Sequence, residues 1–451
     1  MSTENKTVHF VSLGCPKNLV DSEIMLGTLM QSGYQAVEDP SLADTIVVNT
    51  CGFINESKEE SIDKILEMAE LKKSGQLKKL VVAGCLSQRY KEDINKGLPE
   101  ADYFIGSGDF QNIAQIIDKE ENKKKGFYDK STFLQNEATP RINSEPFYRA
   151  YLKISEGCKK RCAFCAIPLI RGNLQSRTMD GVVSEAKLLV AGGVKELNVV
   201  SHDFTDYGWD LNKKGIQASP YEILKRLSDE SGAHWIRVLY MYPDGIDDRL
   251  IQLIKERENL PKYFDMPLQH INDEVLKRMN RRMTGDFVKK TIDKIRSQIP
   301  DAVIRTQFIV GYPGETDKQY EELLDFVEEY KLDRVGCFKY SFEEETKSGK
   351  LDGQIEDEVK QERHDQLMEI QNDISREKNQ SYIGKEIEVI VDGVSEETDL
   401  LLEARSAHQA PGIDGVTYIN SGTAEIGDLV RVKITDAHDY DFVSEIVQPE
   451  V

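Results

Sequence analysis

Three cysteines lie within eight residues in the stretch SEGCKKRCAFCAIP (155–168), and no fourth cysteine follows them in that stretch. Cys158, Cys162 and Cys165, here termed the loop triad, have a C-x3-C-x2-C spacing that brings three thiolates to one metal centre. A closed structural metal site usually has four protein ligands, whereas a catalytic site keeps one position open. The stretch therefore predicts a metal centre whose free position takes a substrate or a cofactor.

Three more cysteines each follow a short run that is typical of a buried strand. The cysteines, here termed the sheet triad, are Cys15, Cys51 and Cys85, and the runs are residues 7–13, 45–49 and 80–83. The cysteines are 36 and 34 residues apart, which matches one βα unit each. Parallel strands end at the same edge of a sheet, so we expect these thiols to converge beside helix N-termini. The alternative is three ordinary buried cysteines.

The neighbours of the sheet triad favour a cluster over a single ion. Gly14, Gly52 and Gly84 adjoin the three cysteines and would let a bulky cluster approach the backbone. Zinc would need a histidine as fourth ligand, and the nearest in sequence, His9, is set well back along its strand. We therefore expect two iron–sulfur clusters, each held by three cysteines. The seventh cysteine, Cys337, lies inside a predicted strand and is expected to pack in the core.

The composition predicts a globular chain of about three domains, since it has 451 residues, 39% of them hydrophobic and 30% charged. No apolar run is long enough to span a bilayer, and the first residues, MSTENKTVHF, do not resemble a signal peptide. These features predict a cytoplasmic protein with reduced thiols. The formal net charge of −21 disfavours a general polyanion binder.

The elements that position the cysteines indicate an α/β multidomain protein. Residues 1–140 alternate strands and helices and predict an open parallel α/β sheet, and the polar segment 118–146, which overlaps the end of this domain, is predicted to be the link to the next one. Residues 147–380 contain six βα units, which predict a partial TIM-type barrel, and end in a polar connector helix at 352–382. Residues 381–451 contain five short strands, which predict a small antiparallel barrel of the OB type.

The segment CKKRCAFC resembles the cluster loop of the radical S-adenosylmethionine superfamily. In that superfamily the open iron of a 4Fe-4S cluster binds S-adenosylmethionine, and reductive cleavage then gives a 5′-deoxyadenosyl radical. The resemblance implies that Cys158, Cys162 and Cys165 are catalytic cluster ligands. It also implies that Phe164 covers the adenine side of the cluster.

Nearly the whole chain resembles the methylthiotransferases, which join an N-terminal cysteine triad, a radical domain and a C-terminal TRAM barrel. Segments 12–23, 266–282, 305–317 and 405–415 are similar to the ribosomal-protein branch, RimO. The resemblance implies methylthiolation of the β-carbon of an aspartate in ribosomal protein S-twelve, with two molecules of S-adenosylmethionine. It implies two 4Fe-4S clusters, the auxiliary one on the sheet triad, and an electron donor such as flavodoxin or ferredoxin.

The resemblance further implies contacts to S-adenosylmethionine at two glycine motifs. The candidates are Gly192, Gly193 and Glu196 in GGVKE, and Gly311 and Gly314 in GYPGE. The alternatives are a glycine helix cap for the first motif and a plain Pro-Gly turn for the second. His270 in PLQH is either catalytic or, as we favour, a satisfied core histidine.

Three residues depart from the RimO pattern. His202 stands where glutamine is usual, Glu345 where glycine is common, and Gly412 where glutamate is more usual. None of them is a cysteine, so the departures concern details of substrate or cofactor contact rather than the chemistry.

The charge of the last domain favours a protein partner. Residues 381–451 contain four basic and 15 acidic residues, a net formal charge of −11. A barrel that binds a phosphate backbone is expected to be basic, so this one should repel RNA and attract a basic ribosomal protein. The alternatives left open are the same reaction on an adenosine of transfer RNA and, in another class, a non-catalytic iron–sulfur electron carrier or RNA-binding adaptor.

Overall fold

A computed structural model describes residues 6–118, 125–396 and 398–447 of the chain. Within these ranges, no helix is both long and apolar enough to cross a membrane. Two parallel α/β units and a small barrel follow one another along the chain.

The described part of the N-terminal domain contains a six-stranded parallel sheet. Its strands are β1 (Lys6–Ser12), β2 (Tyr34–Ala36), β3 (Thr45–Thr50), β4 (Lys79–Gly84), β5 (Tyr103–Gly106) and β6 (Gly126–Phe127), in the order β2-β1-β3-β4-β5-β6. Its helices are α1 (Pro16–Gln31), α2 (Asn55–Lys73), α3 (Cys85–Tyr90), α4 (Glu92–Gly97) and α5 (Ile113–Asp118). Apolar residues pack on both faces of the sheet, which explains the continuous Ile, Val and Leu runs of β3 and β4.

The polar link predicted at 118–146 is only partly a link. Residues 126–127 form the edge strand β6. A strand of two residues in a polar segment shows no alternation of apolar and polar residues, so the sequence does not predict it. Arg141 ties the following segment to both α/β units, through Glu23 of α1 at 2.7 Å and Glu185 at 2.5 Å. Residues 119–124 of the predicted link lie outside the described ranges.

Residues 149–339, all of which are described, contain a partial barrel of six parallel strands. The strands are β7 (Arg149–Lys153), β10 (Glu196–Val200), β11 (Trp235–Val238), β12 (Tyr263–Asp265), β13 (Val303–Val310) and β14 (Arg334–Lys339), hydrogen-bonded as β7-β10-β11 and β12-β13-β14. The two halves join where Met241 donates its N–H to the carbonyl of Asp265 at 2.8 Å. A short antiparallel pair, β8 (Ser155–Glu156) and β9 (Gln175–Ser176), flanks the loop triad. The six predicted βα units are confirmed.

Helices cover the outside of this partial barrel and bury its apolar core. The helices of this region are α6 (Ile167–Ile170), α7 (Met179–Ala191), α8 (Trp209–Asn212), α9 (Pro220–Glu230), α10 (Asp248–Glu256), α11 (Asp273–Arg278), α12 (Gly285–Gln298), α13 (Asp317–Tyr330) and α14 (Asp357–Gln380), of which α6 lies outside this core, at the contact with the N-terminal domain. The helix that the sequence predicts as a connector, α14, is more than a connector, because Leu367 and Ile374 are buried in the barrel core.

The strands between residues 386 and 446, with only residue 397 left undescribed, close into a five-stranded C-terminal barrel. They are β15 (Glu386–Val394), β16 (Leu402–Ser406), β17 (Thr417–Ser421), β18 (Leu429–Ala437) and β19 (Phe442–Ile446), in the order β15-β16-β17-β19-β18. Four pairs are antiparallel, whereas β17 and β19 run parallel. A closed ring of five strands cannot reverse direction at every step, so one parallel pair is unavoidable in the predicted barrel.

The C-terminal barrel closes the floor of the partial barrel. The loop between β16 and β17 enters the amino-terminal end of the parallel strands, where Ala410 is fully buried. Arg237 donates to the carbonyl of Ala407 at 2.8 Å, and the Tyr263 hydroxyl donates to Asp414 at 2.7 Å. This loop belongs to the predicted RimO-like segment 405–415, which therefore lies at the barrel end opposite to the loop triad.

Candidate active site

The sheet triad lies at the carboxyl edge of the N-terminal sheet, as predicted. Cys15 precedes α1, Cys51 follows β3, and Cys85 begins α3 directly after β4. Gly14 has φ +85°, and a Cβ atom on it would lie 2.8 Å from the Cβ of Cys51. Only glycine permits this close approach of the two cysteine turns. Cys15 and Cys51 are both close enough to Cys85 to contribute to its raised pKa, so the structure brings the three thiols together.

The loop triad lies between β8 and β9, at the carboxyl edge of the partial barrel. The N–H of Cys165 donates to the carbonyl of Cys162 at 3.2 Å, and the N–H of Lys160 donates to Sγ of Cys158 at 3.4 Å. Arg281 places a guanidinium nitrogen 3.9 Å from Sγ of Cys162. Positive charge and N–H donors beside sulfur stabilise the thiolate ligands of a bound metal.

Burial raises the pKa of two thiols in each triad. The pKa of Cys85 and that of Cys158 rise to about 12, and the pKa values of Cys51 and Cys165 also rise, with burial as the largest cause in each case. Such thiols hold their protons at neutral pH until a metal displaces them. Metal binding at either triad therefore releases protons.

The donor set of each triad fits an iron–sulfur cube. Thiolates are the ligands that such clusters prefer. In the part of the chain that the structure describes, no three His, Cys, Asp or Glu side chains are close enough to share a single metal ion. A cube binds its cysteines through separate irons, which sets the sulfurs further apart than one ion does. Three cysteines on a cube leave one iron without a protein ligand.

The two triads face each other across the contact between the N-terminal domain and the partial barrel. Cys85 packs against Ala166 and Ile170, which follow directly after the loop triad. Lys17 of α1 donates to the carbonyl of Ser201, just beyond β10, at 3.4 Å. The carboxyl edges of the two parallel sheets therefore meet at one site.

Buried charges fill this contact. Lys153 and Arg171 each pair with both Asp21 and Glu156, and the distances to Glu156 are 3.1 and 3.3 Å. Arg171 also donates to Sγ of Cys85, at 3.1 Å from Nη2 and 3.3 Å from Nε. The sequence analysis does not identify these residues. Charged residues at the end of a buried strand, such as Lys153 and Glu156, do indicate buried ion pairs, because charged side chains are rarely buried without a partner.

Phe164, which is predicted to cover the adenine side of the cluster, lies beside the motif GYPGE. Phe164 packs against a small apolar cluster that includes Met279 and Tyr312, and Tyr312 stands between Gly311 and Gly314. Gly311 and Gly314 have φ values of +71° and +74°, so the loop after β13 depends on glycine at both positions. The structure thus places Phe164 against the loop that contains Gly311 and Gly314.

The predicted contact of the motif GGVKE with S-adenosylmethionine is wrong. Glu196 is the first residue of β10 and is paired with Arg149 in register, so it lies at the amino-terminal edge, about 13 Å along the strand from the cysteine edge. Its carboxylate is fully buried between Arg405 at 2.9 Å and Arg237 at 3.2 Å. Gly192 ends α7 as its C-cap and Gly193 has φ +107°, which confirms the alternative of a helix cap.

Two further residues occupy core positions, as the sequence indicated. His270 is fully buried, accepts the N–H of Asn272 at 3.0 Å on Nδ1 and lies 3.4 Å from Glu315 through Nε2. Cys337 is buried in β14 and packs in the barrel core. Both residues occupy buried core positions.

The three residues that depart from the RimO pattern lie in different parts of the structure. Burial and the charge of Lys17 together lower the pKa of His202 to about 3, so His202 is neutral at the contact between the two α/β units. Glu345 pairs with Arg89 of α3 at 3.1 Å and links the two α/β units. Gly412 has φ +65° in the loop on the barrel floor, a conformation that glycine adopts without strain.

Family models match three parts of the chain. Residues 7–106 match the model described as uncharacterized protein family UPF0004, residues 152–327 the radical SAM superfamily and residues 383–447 the TRAM domain. The solved radical S-adenosylmethionine methyltransferase TsrM from Kitasatospora setae aligns with TM-score 0.56 at 13% identity, over 76% of this chain and 77% of that one. A likeness at this identity supports the fold alone, which is that of radical SAM enzymes.

Relatives match over almost the full length. The ribosomal protein uS12 methylthiotransferase RimO of Bdellovibrio bacteriovorus is 61% identical over 99% of this chain and 98% of its own. The RimO proteins of Geotalea uraniireducens and Geobacter sulfurreducens are 49% and 47% identical, each over 99% of this chain and 100% of their own. The chain therefore belongs to the RimO family of ribosomal protein uS12 methylthiotransferases.

Proposed function

We propose that this chain transfers a methylthio group to the β-carbon of an aspartate in ribosomal protein uS12. The observation that carries the proposal is the pair of facing cysteine triads in a chain 61% identical to a RimO protein. A cytoplasmic location follows from a ribosomal substrate. The same chemistry on an adenosine of transfer RNA is the alternative, and the acidic C-terminal barrel disfavours it.

Two 4Fe-4S clusters belong to this proposal. The loop triad holds the radical-forming cluster, and the sheet triad holds an auxiliary cluster that carries the sulfur to be transferred. S-adenosylmethionine, when bound, supplies both the carbon radical and the methyl group. Phe164 packs against Tyr312, the residue between Gly311 and Gly314, and these residues are the candidates for contact with S-adenosylmethionine on the side of β13.

The domain limits and the electron source are part of the same proposal. We propose domains at 1–140, 147–380 and 381–451, which is supported by matches to family models inside each range. Reduction of the radical-forming cluster requires an electron donor, for which a flavodoxin or a ferredoxin is suited.

Mass spectrometry of a strain that lacks this gene tests the proposal. We expect uS12 to lose the mass of one methylthio group at an aspartate, with the modified nucleosides of transfer RNA unchanged. Restoring the wild-type gene should restore the modification. Loss of a methylthiolated adenosine with uS12 intact would support the alternative, and no change in either would support the non-catalytic carrier.

A further inference from the structure

We infer that Arg171 is a positioning residue for the auxiliary cluster, which it reaches from the partial barrel through two N–H donors to the sulfur of Cys85. The inference rests on the proposed function, because it requires a cluster on the sheet triad. Arg171 would then connect the two cysteine sites structurally.

The guanidinium of Arg171 is held on every side. The residue is 1% exposed, and Nη2 and Nε lie 3.1 and 3.3 Å from Sγ of Cys85. Nη2 also donates to Asn18 at 2.9 Å, and Nη1 pairs with Asp21 and with Glu156. Because these partners fix the plane of the fork, its direction toward the sulfur is determined before a cluster binds.

The position of Arg171 in the chain connects the two triads. Arg171 follows α6, six residues after Cys165. The carbonyl of the next residue, Gly172, accepts the N–H of Cys158 at 3.2 Å. One turn therefore contacts a cysteine of each triad, so a shift of this turn moves the two sites relative to each other.

The expected chemical effect is on the sulfur ligand. N–H donors to a cysteine ligand withdraw electron density and stabilise the reduced cluster, which raises its reduction potential. The donor here is cationic, which strengthens the hydrogen bond. Three buried cations, Lys17, Lys153 and Arg171, face two buried carboxylates at this contact, which leaves an excess of positive charge beside the thiolates.

A redox titration of the auxiliary cluster alone tests the inference. The loop triad is first changed to alanine, so that only the sheet triad can hold a cluster after anaerobic reconstitution. Arg171→Gln and Arg171→Lys are then compared with the parent by electron paramagnetic resonance. We expect a more negative midpoint potential and an altered signal in Arg171→Gln, and a smaller shift in Arg171→Lys, which keeps the charge but loses the fork.

Arg141→Gln is the matched control. Arg141 is another arginine that links the same two units, through Glu23 and Glu185, with a side chain only 8% exposed and no bond to sulfur among its described contacts. It should lower stability without changing the midpoint potential. In the full enzyme, Arg171→Lys should reduce methylthio transfer about tenfold while reductive cleavage of S-adenosylmethionine is retained.

An unchanged midpoint and signal in both Arg171 variants, or an equal shift in Arg141→Gln, would overturn the inference and leave the two-cluster proposal standing. If Arg171→Gln does not fold, the Arg171→Lys comparison decides the question. A parent protein without iron on the sheet triad would overturn the two-cluster proposal itself and this inference with it.

Discussion

The guanidinium of Arg405 in the C-terminal barrel donates to the carboxylate of Glu196 in the partial barrel at 2.9 Å, and both side chains are buried. Arg237 approaches the same carboxylate at 3.2 Å. The segment 405–415 is therefore anchored by charge as well as by packing, which fixes the acidic barrel relative to the cysteine sites.

Glu196→Gln should lower the free energy of unfolding by about 3–5 kcal/mol, because it removes the buried anion that Arg237 and Arg405 share and leaves Arg405 with Asp392 alone. Urea denaturation measures the loss. Glu388→Gln, at the exposed edge of the same interface beside His234, is the matched control and should leave the urea midpoint unchanged. Similar midpoints for the Glu196 variant and the wild type would contradict this account.

Acid should weaken the same contact. Burial alone would raise the pKa of Glu196, but Arg405 and Arg237 outweigh burial and hold the pKa below its ordinary value. A carboxyl with a depressed folded pKa stabilises the protein above its unfolded pKa of about 4.3, and this stability is lost as the pH falls through the folded pKa. Urea midpoints measured from neutral pH downward should fall less steeply in Glu196→Gln than in the wild type. Equal slopes would count against the pairing.

The iron content should reflect two clusters. Anaerobic reconstitution of the wild type should give about eight irons per chain, and replacing the loop triad with alanine should remove about half. Metal analysis of the purified proteins provides the measurement. Zinc as the tightly bound metal, or about four irons in the wild type, would contradict the two-cluster proposal.

The two triads should have separable roles. Replacing the sheet triad with alanine should abolish methylthio transfer and leave some reductive cleavage of S-adenosylmethionine, because the loop triad still holds its cluster. Cys162→Ala should abolish both. The assay follows 5′-deoxyadenosine and the modified uS12 peptide by mass spectrometry, and an equal loss of cleavage in the two variants would show that the roles are not separable.

Exposed carboxylates of the C-terminal barrel should attract uS12. Glu425, Asp436 and Glu445 are exposed. Asp392 is unsuitable for the test, because it accepts a hydrogen bond from the hydroxyl of Tyr148 at 2.7 Å and its substitution would disturb the contact between the domains. Charge reversal at the three exposed positions should slow association with free uS12, most clearly at low salt, because attraction between exposed charges is screened by ions. Reductive cleavage of S-adenosylmethionine serves as the internal control. Unchanged association, or methylthiolation of transfer RNA in preference to uS12, would contradict the charge argument.

His202→Gln should be tolerated. Burial and the charge of Lys17 keep the pKa of His202 at about 3, so the residue carries no charge at neutral pH that the substitution could remove. Methylthio transfer should stay within about twofold of the wild type, with the same pH profile. A changed pH profile would show that His202 titrates during turnover.

Much of the cysteine chemistry could be predicted without the structure. Cys51 and Cys85 follow buried strands one βα unit apart, and parallel strands always end at the same edge. The strand β6 and the partner of Glu196 could not be predicted in this way. A two-residue strand has no period, and a glutamate after a helix cap has the same local pattern whether it faces a cofactor or two arginines.

The order of the amino acids is sufficient to specify both triads, the βα units and the five-stranded tail, because each depends on a local period or on a fixed spacing along the chain. Only the packing of the domains decides that Arg171 reaches Cys85, 86 residues away, and that Arg405 reaches Glu196, 209 residues away. Such pairs leave no local pattern, since a buried charge is stable only where the folded chain supplies an opposite charge or a hydrogen-bonding partner.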